Sequence, residues 1–233
     1  MASLTRRERS RVTHWKIVEA AHHLFSTQGY AATTMAQVAE AAGVAVQTVY
    51  FVFHTKPALL ERAIDFAVMG RDDPRPPDSQ PWYRDMTNAP GIAEALRHLV
   101  TGVGAIMPRV IPLNLAARAS DDPDLARVMA ESEAWRADGY RAVLEILRKK
   151  APLRDGLDPA RAVHLLLLYV GEDVYHFLVG TYGWPHDDWV DWCVATLLDQ
   201  VFGLDASPEG FHSWPRPDAK HAEDGGGVTS PGG

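Results

Sequence analysis

Cysteine is almost missing from this chain of 233 residues: Cys193 stands alone, so no internal disulfide can form. Histidine and cysteine nowhere take up zinc-ligand spacing, and the adjacent pair His22 and His23 cannot face one ligand from a helix. No metal site and no cofactor is therefore expected. Runs of about 18 apolar residues are also lacking, which argues against a membrane span. The opening MASLTRRERS has no apolar signal core, so the expected compartment is the cytoplasm. No stretch alternates convincingly enough to be a strand. No nucleophile elbow, phosphate loop or metal motif is present, which removes the usual signatures of an enzyme.

What is there is ordinary in bulk and uneven in distribution. The chain is 46% hydrophobic and 23% charged, as soluble globular proteins are, and long enough for a sizeable core. The formal net charge is −7, but residues 1–60 carry six basic residues (Arg6, Arg7, Arg9, Arg11, Lys16 and Lys56) against Glu8, Glu19 and Glu40. That end is +3, leaving −10 for the remainder. A basic end on an acidic body suits a nucleic-acid-reading module joined to a different module.

Helical periodicity begins near Arg11 and runs to Gln28, with Ile17, Ala21, Leu24 and Phe25 on one stripe and Gly29 placed as a C-cap. Thr34 with Gln37 three residues later is a capping-box start for a second helix. Ala39 offers a small contact residue, Gly43 tolerates a left-handed turn, and Val44, Val49 and Val52 can pin a short third helix, about 45–51, onto the second. This is the spacing of a helix-turn-helix, in which the second element is presented to a major groove. Thr55 caps a fourth helix that carries Lys56 and Pro57 in its first turn.

Residues 14–68 resemble the DNA-binding domain of the TetR family of bacterial repressors. The resemblance rests on Ile17, Ala20, Ala21, Leu24, Phe25, Gly29, Tyr30, Thr33, Thr34, Val38, Ala39, Ala42, Gly43, Val44, Thr48, Val49, Tyr50, Phe53, Lys56, Leu59 and Leu60. It implies a dimeric, ligand-responsive regulator acting on a palindromic DNA operator. Gln47 is the foremost base-reading candidate, because its amide both donates and accepts at a base edge. Val46 and Phe51 are apolar candidates for a thymine methyl. Thr33, Thr34, Thr48, Tyr50 and Lys56 are the backbone-contacting set that the resemblance suggests, fixing register without carrying sequence information. Arg6, Arg7, Arg9 and Arg11 form a basic N-terminal arm. The chain departs from the family pattern at Ala45, where a Ser or Thr cap is usual, and at Val46, where a polar residue is common.

The proline-rich stretch 71–91 reads as a loop and a boundary. Beyond it helices are expected at about 93–107, 112–119, 124–150, 159–182 and 188–202. The expected organisation is all-α: a helix-turn-helix domain at 1–68, a helical bundle for ligand binding and dimerisation at 69–205, and a disordered tail at 206–233 rich in Pro and Gly. Pieces at 119–126, 153–162 and 182–202 resemble one branch of the same family, which implies a homodimer through the last two helices. Trp189, Trp192, Leu197, Leu198, Val201 and Phe202 spread over more than one face of the last helix, more apolar surface than one small domain readily covers. Tyr169, Glu172, Asp173 and His176 fall on one face of an otherwise apolar helix, where they must be exposed, paired or facing a cavity. The candidate lining of an effector pocket is Met107, Trp135, Tyr140, Tyr169, Asp173 and His176. Two other readings stay open: a constitutive DNA-binding protein with a solid bundle, and an enzyme using the polar face of the 159–182 helix.

Overall fold

The computed structural model describes residues 5–70 and 80–205, and every regular element among them is helical. Helix α1 spans Arg6–Gln28. It starts earlier than periodicity alone indicates, because Thr5 and Glu8 form a capping box: the Thr5 N–H donates to Glu8 Oε2 at 2.6 Å and the Glu8 N–H to Thr5 Oγ1 at 3.3 Å. The four arginines expected on an arm are thus exposed residues of the first helical turns.

Helix α2, Met35–Ala42, opens with the expected Thr34–Gln37 box. Gly43 then adopts a left-handed conformation, φ 66°, and its N–H and that of Val44 close the helix on Ala39 and Glu40 carbonyls. The chain turns through 109° into α3, Val46–Phe53. Ala45 gives α3 no side-chain cap. Helix α4, Lys56–Met69, is capped by Thr55 Oγ1, which accepts from the Ala58 N–H at 3.3 Å.

The stretch expected to be a loop holds a helix. Residues 71–79 lie outside the described residues, but α5 spans Pro81–Asn88. Pro81 sits in its first turn, where a missing N–H costs nothing. Trp82 of α5 packs against Gly102 of α6, Ile92–Gly104, where any Cβ would stand 2.2 Å from Trp82 Cγ. After a bend of 55°, α7 runs Met107–Arg118 with Pro112 inside it, longer than the expected 112–119. Helix α8, Pro123–Leu147, is capped by Asp122.

The single helix expected at 159–182 is broken. Helix α9 covers Pro159–Tyr169; α10, Glu172–Tyr175, continues into a π-helical turn at His176–Thr181. The break falls at Gly171, where a Cβ would lie 2.2 Å from the Leu167 carbonyl oxygen. By length and composition the stretch Pro159–Thr181 could cross a membrane, contrary to the expectation from the sequence. Here Ala162, Val163, Leu166 and Val170 pack into the bundle core. Helix α11, His186–Phe202, completes the bundle. Its apolar surplus is covered within the chain: Trp189, Leu197, Leu198, Val201 and Phe202 are buried and only Trp192 of the six is half-exposed. Helices α6 and α9 supply that cover. The tail beyond residue 205 lies outside the described residues.

Two apolar cores result. One joins α5, α6, α8, α9 and α11 with Met107 and Ile111 of α7. The other joins α1 to α4, and it also takes in Val110, Leu113 and Ala117 of α7 and Leu125 of α8. Helix α7 therefore has a face in each. At the same seam half-buried His22 places Nε2 3.3 Å from the Arg109 carbonyl oxygen, an acceptor only, so Nε2 carries the proton.

Two outcomes follow for stability. Gly43→Ala leaves space for its Cβ but not for its φ, and is expected to cost about 1–2 kcal/mol in urea unfolding. Burial holds the His22 pKa below its usual value despite the carbonyl hydrogen bond. The folded state then binds fewer protons than the unfolded one, so this contribution is intact above about pH 6.5 and declines as the pH falls through the folded pKa. His22→Gln should show a smaller drop in urea midpoint between pH 7.5 and 5.5 than the parent protein.

Candidate DNA-reading surface and effector cavity

Helix α3 buries Val49 and Phe53 against α2 and α4 and turns the opposite face out. Gln47, Tyr50, Phe51 and His54 recur at helical spacing on that outer face, with Phe51 82% exposed and Tyr50 50% exposed. A free phenyl ring on a short helix has no packing role in this chain. It leaves an exposed apolar group beside the Gln47 amide. His14 of α1 stacks on Phe53 with ring centroids 5.0 Å apart, and the arginine-bearing turns lie immediately N-terminal to that contact.

The end of α3 is strained. His54 has φ 57° and ψ −50°, and the Thr55 N–H closes a tight turn on the Phe53 carbonyl. Such a γ-turn at a non-glycine residue costs on the order of 1–3 kcal/mol. It sets the entry of α4, whose Lys56 Nζ sits 4.1 Å from the centre of the Tyr30 ring. The Tyr30 hydroxyl in turn donates to Asp122 Oδ2 at 3.0 Å, the carboxylate that caps α8 with its other oxygen. Burial, and then Asp122, push the Tyr30 phenol well above its usual pKa.

A cavity of about 530 Å³ lies between the two cores. Ile64, Asp65, Val68 and Met69 of α4 form one wall, and Trp82 and Tyr83 of α5 another. Val103, Met107 and Val110 line it from α6 and α7, and Trp135, Gly139, Tyr140 and Val143 from α8. Its polar end is built by Asn114 and Arg118 of α7, Arg136 of α8 and Glu172 of α10. Glu172 is a buried carboxylate; Asn114 Nδ2 donates to its Oε2, and Arg118 Nη2 donates to Oε1 at 2.6 Å. Burial drives the Tyr140 phenol far up in pKa, so it stays protonated and able to donate. Gly139 faces open space: a Cβ there would meet nothing within 4 Å.

Residues 17–63, the segment holding α2, α3 and most of α1 and α4, match the family described as bacterial regulatory proteins, tetR family. The match lies within the first four helices and does not extend beyond residue 63. The whole all-α arrangement is shared with solved structures of such regulators. NalD of Pseudomonas aeruginosa, the secondary repressor of the MexAB-OprM multidrug efflux pump, is 20% identical with a TM-score of 0.62, covering 84% of this chain and 98% of NalD. The regulator FadR of Bacillus subtilis in complex with stearoyl-CoA is 16% identical with a TM-score of 0.62, covering 78% and 96%. FadR of Bacillus halodurans, a fatty acid degradation regulator, is 19% identical with a TM-score of 0.63, covering 84% and 97%. At these identities the likeness is one of fold. No curated protein matches the sequence significantly.

The residues singled out by sequence fall in different places. Gln47, Tyr50, Phe51 and Thr34 are exposed beside one another's helices, while Val46, Thr48 and Lys56 are half-buried at the margin. Thr33 is not on that surface: it is 1% exposed and its hydroxyl donates to the Gly29 carbonyl at 2.8 Å. Met107, Trp135 and Tyr140 line the cavity. Tyr169, Asp173 and His176 do not, because the break at Gly171 and the π-helical turn split the face they were expected to share. Tyr169 packs on Trp192, and Asp173 is an exposed partner of Arg118. Glu172 is the member of that polar group that reaches the cavity. Sequence reasoning missed Trp82, Asn114, Arg118, Arg136 and Gly139; the mid-helix Gly139 was the available signal, since a helix keeps glycine at a cost of about 0.5–1 kcal/mol only where something else requires the space. Among the described residues, no cluster of three or more His, Cys, Asp or Glu could hold a metal ion.

Tyr30→Phe removes the hydroxyl under the α8 cap and keeps the ring under Lys56. It should cost about 1–3 kcal/mol in thermal unfolding, as loss of a hydrogen bond to a carboxylate does, while changing DNA affinity by no more than about twofold by the same reasoning. Tyr30→Leu, which also removes the ring, should weaken DNA binding further in a fluorescence anisotropy titration.

Proposed function

We propose that the protein is a homodimeric repressor that leaves a palindromic operator when a small molecule enters the 530 Å³ cavity. The observation that carries this reading is the placement of α4. Its first turn follows the recognition helix α3, and its last turns, from Ile64 to Met69, are a wall of the cavity. A ligand that fits one setting of α4 better than another shifts the α3 position by population, and only to the extent that its affinities for the two settings differ.

In this reading residues 1–68 bind DNA and residues 69–205 bind ligand and partner. Gln47 reads a base edge, Phe51 and Val46 meet apolar base surface, and Thr34, Thr48, Tyr50 and Lys56 hold the phosphate backbone. The dimer forms through α9–α11, supported by apolar side chains left exposed there: Leu168, Phe177 and Tyr182. Two copies of α3 then meet two half-sites about 34 Å apart.

The cavity favours this over a constitutive DNA binder, whose bundle would be solid. The enzyme reading loses support, because Tyr169, Asp173 and His176 do not line this cavity.

Selection from random duplexes followed by anisotropy across a salt series tests the proposal. An inverted repeat bound about 10³-fold or more above random DNA is expected, with Gln47→Ala losing roughly 1–3 kcal/mol of discrimination at one position per half-site. Equal, salt-sensitive binding to all duplexes would contradict it.

A further inference from the structure

Among the described residues, the lining of the cavity keeps three buried polar atoms unmatched, and all belong to side chains whose other polar atoms are fixed or absent. Asn114 is 7% exposed, and its Nδ2 must face Glu172, since an ionised carboxylate can only accept. Oδ1 is thereby fixed as the atom left over, buried and without a hydrogen-bond partner among the described residues. Trp82 Nε1 of α5 and Arg136 Nε of α8 are buried donors likewise unmatched. A buried polar atom left unpaired costs about 1–3 kcal/mol, which a complementary ligand group would recover.

Each charged group of the lining, by contrast, already has an ion-pair partner, Arg136 through Nη2 alone. Arg118 bridges Glu172 and Asp173 at 2.6 Å each, Arg136 Nη2 pairs with Glu133 at 2.5 Å, and Arg62 pairs with Asp65 at 2.9 Å. An entering carboxylate or phosphate meets three carboxylates of the lining (Asp65, Glu133, Glu172) and two guanidiniums already neutralised. An entering ammonium meets carboxylates whose partners it would have to displace. The volume of about 530 Å³ lies in the range of small-molecule sites, about 300–1,000 Å³.

We propose that the effector is an uncharged, mainly apolar molecule with one neutral hydrogen-bonding head, an amide or hydroxyl that donates to Asn114 Oδ1, and that fatty acids and acyl-CoA thioesters are rejected. This rests on the effector role assigned to the cavity above. The ion pairs around Glu172 serve as the selectivity device: they hold the amide of Asn114 in one orientation and withhold Arg118 from anions.

The test is displacement of the neutral fluorophore N-phenyl-1-naphthylamine from the full-length protein by four molecules of equal chain length: decanamide, 1-decanol, decanoate and decylammonium. Decanamide and decanol are expected to displace it at least tenfold more tightly than either charged analogue. Asn114→Leu should abolish the amide's advantage. Glu172→Gln, which frees one side of the Arg118 fork while keeping an acceptor for Asn114, should improve decanoate about tenfold relative to decanamide, an outcome that a merely structural role for Glu172 would not give. Decanoate or decylammonium competing as well as decanamide in the parent protein, or an unchanged decanoate-to-decanamide ratio in Glu172→Gln, would overturn the proposal while the effector cavity stood. Gly139→Leu, which fills the cavity from α8, separates the two levels. If the fluorophore binds this variant as well as the parent, or binds neither, the cavity reading itself fails and the selectivity proposal falls with it.

Discussion

Helix α7 is held by two hydrophobic cores at once, and the behaviour of the rest of the molecule depends on that sharing. Val110, Leu113 and Ala117 are buried among α1 to α4, while Met107 and Ile111 belong to the core of the bundle. A fully buried Val or Leu contributes roughly 1.5–3 kcal/mol, so sliding α7 away from either core is expensive. Pro112 removes one backbone donor inside the helix, and Asn114 and Arg118 point its polar end at Glu172. The reading head and the cavity are consequently not two modules joined by a flexible hinge. They share a helix that cannot move without both of them responding.

Several features of the chain make sense only as concessions to that arrangement. The positive φ of His54, the mid-helix Gly139, the π-helical turn after Glu172 and the unmatched oxygen of Asn114 all cost stability. They cluster where α3 meets α4 and where α8 and α10 meet the cavity. The Tyr30–Asp122 hydrogen bond adds a second link, from the cap of the cavity-lining α8 to the ring beneath Lys56. Packed cores with few voids respond to such local changes by switching between discrete arrangements, which is what a binding-linked regulator needs.

How much of this was legible in the sequence depended on whether the governing rule was local. The Thr34–Gln37 box, the left-handed Gly43 and the Thr55 cap follow from residues within a few positions of one another, and the structure places them as the sequence implies. The Thr5–Glu8 box is equally local but was hidden by a stretch of arginines with no apolar stripe. Proline density between residues 71 and 91 read as a loop, yet Pro81 stands where a helix accepts it. The excess apolar surface of α11 pointed to a partner chain, whereas α6 and α9 cover most of it. The polar residues of 159–182 were assigned one face on the assumption of an unbroken helix. The helix instead breaks at Gly171, where the backbone comes so close to the Leu167 carbonyl that no Cβ would fit, a closeness visible only in three dimensions. Asn114 and Arg118 could not be found from sequence, because nothing local to α7 indicates which carboxylate lies opposite.

The shared packing of α7 can be tested without knowing the operator. Hydrogen–deuterium exchange would be followed peptide by peptide in the full-length protein, with and without saturating N-phenyl-1-naphthylamine. The account predicts altered protection in α7 and α4 and also across the seam in α1, near His22 and Phe25, even though α1 does not line the cavity. Changes confined to α5, α6 and α8, with α1 and α4 exchanging as before, would contradict it.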